Sequence, residues 1–206
     1  LYDLGEQVAK NYTKIPKKVK IHIGSILDQY SLSNAMKGSN YVLHLAAMLG
    51  VKYTEDNKLD CLEINSTGTK NVLEAAAHSS VKKVVFASSS EVYGEPDTNP
   101  ITEKHTTKGK TIYGVTKIMG EEYCKSYKQK HNLNYTILRF FNTYGPYQTN
   151  KFVITKFINA VVNNKDIIIN GNGEQKRSYM YVDDAASAIV LACLSKKTNQ
   201  KIFNIG

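Results

Sequence analysis

The apolar run Val84-Val85-Phe86-Ala87, closed by Ser88-Ser89-Ser90-Glu91, constrains this chain more than any other feature. A short, unbroken, β-branched and aromatic run without alternation reads as a strand buried on both faces, as in a parallel sheet. Comparable runs lie at 41–45, 135–139 and 201–205, with shorter ones at 1–4, 19–23 and 167–169. Helical patterns alternate with them. A short helix at 28–37 is capped by Asp28, and a long one at 59–78 carries Leu62, Thr69, Val72 and Ala76 on one stripe. Others are expected at 112–131, 152–163 and 183–194, while 142–150 is turn-rich. Strands separated by helices predict right-handed β-α-β units and a doubly wound parallel sheet of the α/β class. In such sheets, ligands and reacting groups collect just beyond the carboxyl ends of the strands. The serines after Ala87 occupy such an end.

Tyr113 and Lys117 follow about twenty residues later. Four apart on the predicted helix, they share a face. An ammonium beside a phenol favours phenolate and lowers a pKa that is otherwise about 10, which would suit Tyr113 to carry a proton. The pair alone proves nothing. In a lysine-rich chain with 14 tyrosines, chance supplies such spacings, and Tyr147 to Lys151 is a second one. Context separates the two, because Tyr147 follows Gly145-Pro146 in a turn, whereas Tyr113 opens a long helix behind the serine-ended strand.

At 206 residues the chain can bury one substantial core, with room for a small second lobe. Its hydrophobic content of 42% and charged content of 22% are those of a globular domain. No apolar run approaches the roughly 18 residues of a membrane span, so no membrane partner is expected. The net charge of +9 comes from dispersed lysines such as Lys17-Lys18, Lys82-Lys83 and Lys196-Lys197. That pattern reads as solvated faces and not as a nucleic-acid patch, although a positive field suits a diphosphate substrate. Cys61, Cys124 and Cys193 are widely spaced in helical patterns and read as buried reduced thiols, in keeping with a cytoplasmic setting. The five histidines show no ligand spacing, His44 reads as a packed core residue, and no metal site is expected.

One element is missing. No Gly-x-x-Gly-x-x-Gly turn, the usual pyrophosphate cradle of such folds, occurs in the sequence. Its strand and helix would precede Leu1, and that strand is central in a doubly wound sheet. The chain is therefore expected to be part of a longer polypeptide, lacking its first βα unit, and the end at Gly206 points to loss at the back as well.

Several ordered motifs together carry a resemblance. They are Leu1 to Asp3; Gly24 to Asp28; His44 to Ala47; Asn65, Gly68, Thr69, Asn71 and Val72; Ser88 to Gly94; Tyr113 and Lys117; Leu138 to Pro146; Gly171 to Arg177; and Tyr181 to Asp184. The chain resembles the extended short-chain dehydrogenase/reductases, specifically the NAD-dependent nucleotide-sugar epimerases and dehydratases. The resemblance implies a Rossmann-like NAD-binding domain over 1–145, incomplete at its front. Residues 146–206 would begin a smaller substrate-binding lobe interleaved with the last sheet elements.

By that resemblance Asp3 would hold the adenosine ribose, favouring NAD over NADP because a carboxylate repels a 2′-phosphate. Ser25 and Ile26 would lie at the adenine edge, Ser25 standing where the family usually has Asp. Leu45, Ala46 and Ala47 would lie against the cofactor, and Asn65 would brace the active-site strand. Ser89 matches the catalytic hydroxyl, Tyr113 the acid/base, and Lys117 the residue that binds the nicotinamide ribose. Asn142, Ile169 and Arg177 correspond to positions that hold the nucleotide diphosphate and base, while Arg139 reads as structural. The resemblance also implies a homodimer joined by a four-helix bundle from the helices at 59–78 and 112–131.

Ser90 and Glu91 bear on the reaction. A 4-epimerase, removing and returning hydride at sugar C4 with Tyr113 as base, is the first expectation. A 4,6-dehydratase or a UDP-glucuronate decarboxylase using Glu91 is the alternative. Ser90 cannot replace the acid that dehydratases of deoxythymidine sugars carry there. A non-catalytic dinucleotide-binding scaffold is a third reading, which the intact Ser89, Tyr113 and Lys117 oppose.

Overall fold

The computed structural model describes residues 18–169 and 171–206. Its sheet is built on β2 (Lys83–Ser89), flanked by β1 (Tyr41–His44) and β3 (Asn134–Phe140), with β6 (Lys201–Ile205) beyond β3. All three pairings are parallel, and Val84 to Ser89 run in register with Tyr135 to Phe140. Consecutive side chains of β2 point to opposite faces. Val84 and Phe86 join Ile137, Val72, Leu73, Ala76, Cys124 and Tyr127 in one core. Val85 joins Leu138, Ala192 and Cys193 in the other. These partners put α4 (Gly68–Ala77) and α5 (Ile112–His131) on one face and α7 (Val182–Leu194) on the opposite face. Burial on both faces explains the unbroken apolar run Val84 to Ala87 within β2, and the expected doubly wound sheet is formed.

The helix expected at 28–37 is α1 (Gln29–Met36), whose Asp28 cap accepts from the N–H groups of Tyr30 and Ser31 at 2.9 and 3.2 Å. The helix at 112–131 begins at its Thr111 cap, where Oγ1 accepts from Gly114 N at 3.0 Å, and ends at Asn132 in the left-handed region. The long helix expected at 59–78 is formed over residues 58–77, as α3 (Lys58–Leu62), a π-helical turn at Glu63–Thr67 and α4 in unbroken succession, and a short α2 (Val51–Asp56) precedes it, set off at Asn57. Two residues mark the π-helical turn and its exit. Asn65 turns its amide away from the helix onto the backbone of Met48, and Gly68 sits where a Cβ would lie 2.4 Å from Ile26.

Two expected strands do not form. Val19, Ile21 and Ile23 are exposed and belong to no ladder, because no described strand lies beside them. Ile167 to Ile169 are likewise unpaired and exposed. The stretch expected as turns holds β4 (Asn142–Tyr144), which pairs in parallel with β5 (Tyr179–Tyr181) in a separate two-stranded sheet. α6 (Val153–Val162) lies between these two strands in sequence. The expectation at 1–4 lies outside the described residues. Lys83, taken with the solvated lysines, is in fact buried. Its ammonium donates to the carbonyls of Ala192 and Ser195 at 3.0 and 2.6 Å and so caps the end of α7.

A buried ionic cluster ties helix α5 to the sheet. Arg139 on β3 and Glu121 on α5 are 3% and 2% exposed. They form a two-pronged pair, Nε to Oε1 at 2.9 Å and Nη2 to Oε2 at 2.7 Å. The hydroxyl of Ser88 donates to Oε1 of Glu121 at 2.6 Å, and Arg139 Nη1 donates to the hydroxyl of Tyr93 at 2.8 Å. That hydroxyl donates in turn to Asn204 on β6 at 2.6 Å. Burial works against the guanidinium charge, yet the bonds with Glu121 and Tyr93 hold Arg139 above its ordinary pKa. Glu121→Leu should therefore cost about 3–5 kcal/mol in urea unfolding, because an unpaired cation stays buried. The double variant Glu121→Leu with Arg139→Met should recover a large part of that loss. Equal loss in the single and double variants would contradict the pairing.

Candidate active site

The carboxyl end of β2 turns into a 3-10 turn, Ser90–Tyr93, capped by Ser89, whose Oγ accepts from Glu91 N at 3.2 Å. Gly114 permits the close approach of helix α5, since a Cβ there would meet the carbonyl oxygen of Glu91 at 2.7 Å. This contact brings Tyr113 and Lys117 to the serine edge. Lys117 is 4% exposed, and its ammonium donates to the carbonyl of Ala87 at 2.7 Å, two residues inside the strand end. It lies 5.5 Å from the centre of the Tyr113 ring. The structure thus brings Ser89, Tyr113 and Lys117 together, with Ser90 and Glu91 on the adjoining turn.

Electrostatics modify the expectation for the phenol. Burial pushes the Tyr113 pKa up to about 12; a hydrogen bond with Ser89 pulls it down, while the charges of Glu91 and Cys61 push it up. The Lys117 ammonium, 5.5 Å from the ring centre, does not offset this burial, so the expected lowering is not provided by these residues alone. Burial instead brings Lys117 down to about 8. Glu91 faces the phenol closely enough to act on it, and Thr111 Oγ1 donates to Glu91 Oε2 at 3.4 Å.

Of the other predicted residues, Leu45, Ala46 and Ala47 follow β1 at the same sheet edge, Leu45 exposed and the two alanines partly so. Asn65 is buried behind them. Its Oδ1 accepts from Met48 N at 2.7 Å, and its Nδ2 donates to Met48 O at 2.9 Å and to Thr116 Oγ1 at 3.2 Å. It therefore braces the loop after β1 against helix α5. Ser25 is exposed, and its Oγ accepts from Leu27 N at 3.1 Å. Ile26 follows Ser25 with its side chain 7% exposed in the core under Gly68, and Asn71 Nδ2 donates to its carbonyl at 3.2 Å. Asp3 lies outside the described residues.

Asn142 and Arg177 lie at the β4–β5 pair. Asn142 Nδ2 donates to Ser178 O at 3.0 Å, beside Arg177, which is exposed and donates to the carbonyl of Lys176 at 2.8 Å. Ile169 is exposed. His44 is buried as expected, its Nε2 2.9 Å from Thr69 Oγ1, and burial, with help from the Lys117 charge, lowers its pKa to about 3.

Sequence reasoning missed Glu55. Its Oε1 accepts from Ile112 N at 2.7 Å, and that bond, followed by Lys58, holds the carboxyl below its ordinary range. No spacing connects α2 with a residue 57 positions away. All three cysteines are free and buried. Among the described residues no helix is long and apolar enough to cross a membrane. Among the same residues, no group of three or more His, Cys, Asp or Glu is placed to hold a metal.

A model of the NAD dependent epimerase/dehydratase family matches residues 4–206. A UDP-N-acetyl-alpha-D-glucosaminuronate decarboxylase of Bacillus cytotoxicus is 37% identical over 96% of this chain and 63% of its own. A putative UDP-glucose 4-epimerase of Methanocaldococcus jannaschii is 39% identical over 82% of this chain and 56% of its own. A crystal structure of UDP-glucuronic acid 4-epimerase from Bacillus cereus, in complex with UDP-glucuronic acid and NAD, superposes with a TM-score of 0.83. It is 32% identical over 89% of this chain and 58% of its own. The chain thus spans about three fifths of the length of the curated relatives it matches.

The state of His44 has a direct consequence. Its pKa is depressed in the folded chain, from 6.5 to about 3. The stability it contributes is full above 6.5 and is lost as the pH falls toward 3. Urea midpoints should decline across that window with a His44 contribution of up to about 1.4 kcal/mol per pH unit, and His44→Gln should flatten the decline. A His44 imidazole that titrates near pH 6.5 in the folded protein by NMR would contradict this.

Proposed function

This chain belongs to the NAD dependent epimerase/dehydratase family, and we propose that its site serves an NAD-dependent nucleotide-sugar 4-epimerase. The observation that carries the reading is the convergence of Ser89, Tyr113 and Lys117 at the carboxyl end of β2. The residues at this edge suit the dinucleotide. Ala46 and Ala47 leave room beyond β1, Ser25 is exposed on its turn, and the Lys117 ammonium is fixed beside the strand end. When bound, NAD supplies the hydride acceptor and donor for sugar C4.

The chain's own groups handle the proton. Tyr113 takes it from the C4 hydroxyl, and Ser89 supports the phenol oxygen through their shared hydrogen bond. A phenol held at about 12 is a poor base at neutral pH. Proton removal therefore needs added positive charge near the ring, which Lys117 and a cationic nicotinamide supply together. We assign Asp3, Ser25, Ile26, Leu45, Ala46 and Ala47 to the cofactor side, with Asn65 as a brace. Asn142, Ile169 and Arg177 are assigned to the nucleotide, with residues 146–206 opening the substrate lobe and 1–145 forming the dinucleotide domain. Arginine suits the diphosphate because its fork pairs two oxygens. Leu59 and Val115 are exposed on α3 and α5, in keeping with a homodimer joined through those helices.

Glu91 favours a second reading. Its charge acts on Tyr113, and a relative at 37% identity is named a decarboxylase. A dehydratase or decarboxylase would use this carboxylate on the substrate.

Incubation of the intact protein with NAD and a panel of UDP-, GDP- and dTDP-sugars separates the reactions. The expected product is a C4 epimer of unchanged mass; loss of water or release of carbon dioxide would transfer the assignment to the second reading. Tyr113→Phe should lower kcat by about 10²–10⁴, whereas Glu91→Gln should leave epimerisation within about threefold, since it alters one nearby charge. A Tyr113→Phe protein with wild-type turnover would leave only a scaffold role.

A further inference from the structure

Helix α5 carries Tyr113 in its first turn, where the backbone N–H groups have no partner within the helix. Thr111 satisfies Gly114 N. The first helical residue, Ile112, is satisfied from outside, by Glu55 at 2.7 Å. Glu55 is partly buried, and its second oxygen pairs with Lys58 Nζ at 3.1 Å, so both of its oxygens are engaged. It stands on α2, which packs against α5 and begins directly after the loop of residues 45–50. That loop is itself held by Asn65, which also reaches Thr116 on α5. The loop after β1 and the helix of Tyr113 are therefore joined at two points, one of them ending beside the phenol.

We propose that Glu55 is a positioning residue for Tyr113: its carboxylate fixes the first turn of α5 relative to the loop after β1, and so sets the reach of the phenol. It touches neither substrate nor cofactor. A carboxylate at a helix N-terminus also meets the positive end of the helix dipole, which strengthens the hold. The proposal rests on the reading of Tyr113 as the acid/base, and one of its two measurements is independent of that reading.

Amide hydrogen exchange at Ile112 in the intact protein reports the hold directly. In Glu55→Ala, exchange at Ile112 should quicken by about tenfold or more, while Cys124 to Tyr127 stay as in the wild type. Glu55→Gln keeps an oxygen acceptor and should restore protection. In turnover, Glu55→Ala should lose about tenfold to a hundredfold in kcat with KM for the nucleotide sugar nearly unchanged. Glu55→Gln should return to within about threefold of wild type, since it still accepts the Ile112 hydrogen bond.

Unchanged Ile112 exchange in Glu55→Ala would overturn the proposal. So would faster exchange with wild-type kcat, a loss confined to KM, or failure of Glu55→Gln to rescue. If the wild type turns over no nucleotide sugar, the functional reading fails, and the exchange comparison alone decides whether Glu55 holds the turn.

Discussion

Helix α5 can present Tyr113 and Lys117 to the end of β2 only if it is locked at one height along the sheet. The Arg139–Glu121 pair provides that lock. It joins β3 to α5 through two hydrogen bonds in a fully buried setting, and Ser88 and Tyr93 extend it to β2 and to Asn204 on β6. A buried pair is weak evidence for stability in itself, because taking two charges out of water costs several kcal/mol per ion. Its geometry is demanding, however. A slip of α5 along β3 would strand both charges, so the pair selects one register of helix on sheet. Ser89 and Lys117 inherit their relation from that selection, as the bond from Lys117 to Ala87 O shows.

The same low-dielectric interior that strengthens the lock works against the reacting groups. Burial raises Tyr113 to about 12 and lowers Lys117 to about 8. The phenol is thereby held neutral at neutral pH, whereas Lys117 still carries most of its charge there and loses it only above about pH 8. A site built this way favours ionisation of the phenol when further positive charge arrives, which couples the proton step to the presence of the oxidised cofactor.

Legibility in the sequence followed the strength of local signals. α5 and β6 have the bounds that the pattern predicted, because a long helical stretch marks the first and the apolar residues Ile202, Phe203 and Ile205 mark the second. The helix at 59–78 was legible but the π-helical turn inside it was not, since Asn65 and Gly68 act through contacts with Met48 and Ile26, which are distant in sequence. The strands expected at 19–23 and 167–169 had suitable composition but no described neighbour to pair with. Ladder partners, and not propensity, decide a strand.

For the site, Ser89, Tyr113 and Lys117 were legible because strand end and helix start each carry a marker. Arg139 was legible as structural, although its partner Glu121 was not. Lys83 was misread because a lysine capping a helix end looks the same in sequence as a solvated one. Glu55 left no trace, because a carboxylate that caps a distant helix has no characteristic spacing.

The central claim is that Tyr113 is a phenol waiting for positive charge. Ultraviolet difference titration of wild type against Tyr113→Phe isolates this one tyrosine from the other thirteen. Without NAD, the difference signal of phenolate should emerge only toward pH 12. Saturation with NAD should move it down by several pH units, toward neutrality. A Tyr113 titration that stays near 12 with NAD bound would contradict the account.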